Sequence, residues 1–167
     1  MVMDDDLLWI LKTIDRFGWA VLHIGDGCKH KECGNEWVEH PFSYSIGLTA
    51  MGHPEFLLRG WRKKDAGVTL INEFGARVQA GESFRHGQVV ESRTAGAPVV
   101  FLEVIDDADM VASGQVYPEF SALQVVWPDW QGRYPWDKGY NRWKFSQQLS
   151  RPGPGRSGLQ QLQIGQQ

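Results

Sequence analysis

Between Pro41 and Trp61 the chain reads PFSYSIGLTAMGHPEFLLRGW, and within it Phe42, Tyr44, Ile46 and Leu48 alternate with Ser43, Ser45 and Gly47. A repeat of two is the side-chain period of a β-strand, so this segment belongs in a sheet with one apolar and one small-residue face. The small face lets another element approach closely. Gly52-His53-Pro54 then breaks the chain, and Phe56 to Leu58 resumes an extended apolar run as a further strand. Any fold for this chain has to accommodate two strands joined by a short turned segment.

The flanking sequence supplies helices and more strands. Asp4 precedes Leu7, Ile10, Leu11, Ile14 and Phe17, an amphipathic helical stripe with acidic residues at its positive end and Gly18 placed to stop it. Ala66, Leu70, Ile71, Phe74 and Val78 repeat the spacing before Gly81 and predict a second helix over 65–80 that covers the sheet. Strands are predicted over 19–24, 99–105 and 122–127, with a short helix within 106–116. Residues 26–40 follow neither period and read as an inserted polar loop. The proline-punctuated aromatic stretch from Trp127 to Trp136 reads as a loop folded back on the core. The expected architecture is one α+β domain over 1–149, a mostly antiparallel central sheet with two main amphipathic helices packed on it. The Gly, Pro and Gln-rich segment 150–167 is expected to be a disordered tail.

With 167 residues, 42% of them hydrophobic, the chain can build a single substantial core. Its formal net charge of −3 provides no positive field for nucleic acid or an anionic membrane. The opening MVMDDD is acidic where a secretory signal is basic, and no apolar run approaches the roughly 20 residues needed to span a bilayer. A cytoplasmic protein is the expectation.

F-S-Y-S-I-G-L-T at 42–49, G-H-P-E at 52–55, L-Q-V-V-W-P-D at 123–129 and G-R-Y-P-W at 132–136 occur in this order. The chain in these motifs resembles an uncharacterised bacterial family, a domain of unknown function with a Phe-x-Tyr-Thr-x-Gly-Leu strand, a His-Pro-Glu turn and a Trp-Pro-Asp loop. The resemblance covers most of residues 5–140. It implies a shared fold but no reaction, cofactor or catalytic residue. The chain departs from the family at Ser45, where threonine is commoner, and in its longer 28–39 loop, richer in Cys and His.

Four sets of side chains are candidates for chemistry. Cys28, His30, Cys33 and His40 offer thiolate and imidazole ligands of the kind zinc takes, although their spacing lacks a second paired knuckle; exposed thiols and solvated histidines are the alternative. His53 and Glu55, with Tyr44 and Asp129, could form a catalytic pocket in which a histidine near a carboxylate acts as general acid or base, and Trp127, Trp130 and Trp136 could wall a ligand cavity. The competing account has His53 and Glu55 bonding backbone in a tight turn, Asp129 capping a turn, and the tryptophans filling the core. Ser43, Ser45, Thr49 and Arg59 could hold a flavin phosphate, and Arg85 with His86 another phosphate, but neither set forms a recognised motif.

No complete catalytic set is present and aromatic content is high. The favoured reading is therefore a non-enzymatic ligand- or protein-binding module, with a protein or small molecule as partner and its cofactor, if any, unknown. The alternative is a small hydrolase or oxidoreductase centred on His53 and Glu55.

Overall fold

The computed structural model describes residues 4–25, 40–60, 64–142, 147–151 and 153. Helix α1 (Asp4–Phe17) opens with three aspartates in its first turn, and the Gly18 N–H closes it on Ile14 O at 2.7 Å. Strand β1 (Ala20–Ile24) runs antiparallel to β2 (Phe42–Ile46), and β2 runs antiparallel to β3 (Glu55–Arg59). Helix α2 (Lys64–Gln79), strands β4 (Val89–Ser92) and β5 (Ala97–Glu103), helix α3 (Val111–Val116) and strand β6 (Ala122–Val126) follow.

Among the described residues six strands form one sheet in the order β1-β2-β3-β6-β5-β4. All pairings are antiparallel except that of β3 with β6, where Glu55 lies opposite Ala122. The domain is thus the expected α+β arrangement of helices on a mostly antiparallel sheet. Strand β4, unforeseen in the sequence, forms an edge. The strand expected over 42–48 stops at Ile46 because Gly47 turns the chain at φ 132°, and Leu48–Met51 becomes a 3-10 turn. A side chain at Gly47 would place its Cβ 2.6 Å from Gly18 O, so the turn and the close approach both require glycine.

Alternation along each strand divides the core in two. One face sends Phe56, Leu58, Val99, Phe101, Leu123, Val125 and Trp127 against α2, where Leu70, Ile71, Phe74 and Val78 meet them. Phe56, Phe74, Phe84 and Phe101 stand here with ring centroids 5.0 to 6.1 Å apart, largely tilted or edge-on as ring quadrupoles favour. Each such buried side chain contributes about 1.5–3 kcal/mol through removal from water. The other face packs Phe42, Tyr44, Ile46 and Leu57 against Ile10 of α1 and Ala112 of α3, while Val100, Leu102 and Val126 take Tyr134, Trp136 and Leu149 from the C-terminal segment.

The small face of β2 lets α2 approach closely: a Cβ at Gly67 would lie 3.1 Å from Ser43 Oγ. Helix α1 buries Ile10 completely, but Leu8, Trp9, Leu11 and Phe17 remain exposed, so its stripe is covered only in part. Ser150 and Arg151 are tied to the sheet through Gln124 and Glu103; the remainder of the expected tail, Gly153 aside, lies outside the described residues.

Candidate functional site

Glu55 begins β3 and is fully buried. The turn at Gly47 brings three successive backbone N–H groups toward its carboxylate: Gly47 at 3.0 Å, Leu48 at 3.3 Å and Thr49 at 2.9 Å. Ser45 Oγ at 2.6 Å and Thr49 Oγ1 at 2.7 Å complete the set. Such a concave array of donors is an anion-binding nest, here filled by the protein's own side chain. Both oxygens only accept, the pattern of an ionised carboxylate. Their hydrogen-bonding capacity is spent on holding the turn.

His53 lies two residues earlier and is 6% exposed. Its Nδ1 is 2.7 Å from Pro54 O, and its Nε2 accepts the Phe84 N–H at 2.9 Å. A carbonyl can only accept and an amide can only donate, so the ring is the neutral Nδ1–H tautomer. Burial pushes the His53 pKa below its ordinary value of 6.5, outweighing the Pro54 carbonyl and the Glu55 charge, which act to raise it. The rings of Phe56 and Phe84 enclose it at 5.3 and 5.9 Å.

Tyr44 and Asp129 are held elsewhere. Tyr44 OH accepts the Ala112 N–H at 3.2 Å and so fixes α3 to the sheet; burial raises its pKa. Asp129 follows β6 and accepts N–H bonds from Gln131, Arg133 and Asn141 at 2.9 to 3.0 Å, with the Arg133 side chain at 3.2 Å. Burial acts to raise the Asp129 pKa, but these donors together outweigh it and hold the carboxyl below its usual value. β3 and β6 are parallel with Glu55 opposite Ala122. His53 therefore sits before one end of this strand pair and Asp129 beyond the other, with five residues of strand, roughly 16 Å at 3.3 Å each, between those ends. The structure brings His53 and Glu55 into one corner but does not bring Asp129 to them.

The three tryptophans are likewise dispersed. Trp127 packs on the α2 face, Trp136 stacks on Tyr134 at 5.2 Å on the opposite face, and Trp130 is 75% exposed. Of the zinc candidates, Cys28, His30 and Cys33 lie outside the described residues, and His40 is exposed. Among the described residues no group of three or more His, Cys, Asp or Glu could hold a metal ion. The hydroxyls considered for flavin phosphate have protein partners: Ser43 with His23 Nδ1, Ser45 and Thr49 with Glu55. Arg59 pairs with Asp109 at 3.0 Å and lies over the Phe42 ring. His86 Nδ1 accepts the Glu103 N–H, so that ring nitrogen serves β5.

What the corner does present to solvent is an open depression of about 360 Å³ lined by Thr49, Gly52, His53 and Pro54 on one side and Glu119, Phe120 and Ser121 on the other. The parallel pairing of β3 with β6 creates it by setting the chain entering one strand beside the chain entering the other. Glu119, Phe120 and Ser121 carry no sequence pattern that points to a site. Only the pairing of two strands distant in sequence makes them neighbours of the His-Pro-Glu turn. Glu73 was also unforeseen: from α2 it accepts bonds from Ser92 Oγ and the N–H groups of Arg93 and Thr94, stapling the β4–β5 turn.

No helix among the described residues is long and apolar enough to cross a membrane. No curated protein and no solved structure matches the chain. Residues 13–141, which contain the nest, the histidine clamp and both sides of the depression, match the family model described as Domain of unknown function (DUF4262), and the chain belongs to that family.

Proposed function

We propose that the chain is a non-enzymatic binding module that receives a small molecule or a partner's side chain in the depression between Thr49–Pro54 and Glu119–Ser121. One observation carries this reading: Tyr44, His53, Glu55 and Asp129, the side chains best suited to proton transfer, are each engaged by backbone N–H groups. A general base needs a lone pair within reach of substrate. On His53 the only lone pair suited to that task accepts the Phe84 N–H. The depression nevertheless offers apolar surface from Pro54 and Phe120 beside polar groups from Thr49, Glu119 and Ser121, the mixture on which small-ligand recognition rests.

Amide chemical-shift mapping with a fragment library tests the reading. Binding should move the resonances of Thr49, Gly52, Glu119 and Ser121, and Ser121→Arg, at an exposed position, should abolish those changes while leaving the fold intact. No fragment perturbing this corner, or His53-dependent turnover of model ester, amide or redox substrates, would count against it.

A further inference from the structure

We infer that the depression selects a cationic ligand, an amidinium, guanidinium or ammonium group on a flat or apolar frame; this rests on the binding reading above and specifies its ligand class. The charges around the depression are one-sided. Among the described residues none that lines it is Lys or Arg, and Glu119 carries the one formal charge there. His53 is kept neutral by the Phe84 N–H on its Nε2.

Behind Thr49 lies the Glu55 carboxylate, whose five donors are all neutral: three backbone N–H groups and two hydroxyls. Hydrogen bonds from neutral groups stabilise that negative charge without cancelling it, and its field is felt at the His53 ring. A buried charge is screened less than an exposed one, so its field adds to that of Glu119 at the depression. Among the described residues that line it, an anion entering here meets the field of two carboxylates and no cation. A cation meets both attractions in a depression that the half-buried aromatic residue Phe120 and the hydroxyl-bearing Ser121 help to line.

The test titrates the full chain with benzamidine, benzamide and benzoate, which share a frame and differ in charge, and follows the backbone amides. Benzamidine should perturb Thr49, Gly52, Glu119 and Ser121 most strongly. Because Glu119 is exposed, Glu119→Gln should weaken benzamidine by about twofold to fivefold, and added salt should weaken it further. Benzoate or benzamide binding the corner as well as benzamidine does overturns the charge assignment and leaves the binding reading standing. The same holds if other fragments bind there and benzamidine does not. A corner that no fragment perturbs overturns both.

Discussion

The Phe84 N–H donates to His53 Nε2 at 2.9 Å, tying the segment after α2 to the turn before β3 across 31 residues of chain. Protonating that nitrogen would set donor against donor inside the Phe56–Phe84 ring cage. The folded pKa lies below 6.5, so the clamp's stabilisation is present in full above the unfolded value and is lost as pH falls from 6.5 through the folded pKa. Denaturant midpoints measured from about pH 8 to about pH 5 should fall for the wild type and fall less steeply for His53→Gln. At neutral pH, His53→Ala should cost about 1–3 kcal/mol, because it leaves the buried Phe84 N–H without a partner. Identical pH slopes for wild type and His53→Gln would contradict the clamp.

Glu55→Gln replaces one carboxylate oxygen with an amide that donates toward a site built only of donors. A loss of roughly 3 kcal/mol is expected, the upper range for hydrogen bonds to a charged group. Amide hydrogen exchange at Gly47 and Thr49 should accelerate more than at β5. Unchanged stability would mean that the nest does not depend on a carboxylate.

Gly75 and Gly114 are both helical and should respond oppositely to alanine. A Cβ at Gly75 would lie 2.7 Å from Trp19 Cε2, and displacing that ring also strains its bond to Asn72 Oδ1 at 2.9 Å. Gly75→Ala should destabilise by about 1–3 kcal/mol through overpacking. At Gly114 the nearest atom is Phe120 Cε1 at 3.8 Å, an ordinary contact. Gly114→Ala should stabilise by about 0.4–1 kcal/mol by restricting the unfolded chain. Thermal or chemical melts decide both; equal effects would contradict the packing described.

Asp129 and Glu73 predict a second, more acidic pH dependence. For both, burial works to raise the pKa and the loop donors overcome it, leaving folded values below the ordinary 3.8 and 4.5. Their stabilisation is present above those unfolded values and disappears as pH falls through the folded ones. Asp129→Asn and Glu73→Gln should each flatten the acid limb of the stability curve without altering its slope near neutrality. An acid limb unchanged in both variants would overturn these assignments.

Local pattern carried much of this fold. The alternation of Phe42, Tyr44 and Ile46 with Ser43 and Ser45 separated the two buried faces of β2: the large apolar residues pack with Ile10 and Ala112, and the Ser43 side admits α2 closely. The spacing of Leu70, Ile71, Phe74 and Val78 located α2 and its buried face. Strand β4 escaped notice because VVES is four residues long and half-buried at a sheet edge, too short for either period to register. The site was less legible for a different reason. His53 is claimed by Phe84, Glu55 by Gly47–Thr49, and the depression by the parallel pairing of β3 with β6. These are tertiary relationships, and a histidine beside a carboxylate has the same sequence whether it serves chemistry or backbone.

The most direct test is the protonation state of the His53 ring, read from its nitrogen chemical shifts at neutral pH. A neutral ring protonated on Nδ1 is expected, with Nε2 coupled to the Phe84 amide through their hydrogen bond and a titration midpoint below 6.5. A ring protonated on Nε2, or one that titrates at or above 6.5 without disturbing Phe84, would return His53 to solvent and contradict the claim that its chemistry is spent on the fold.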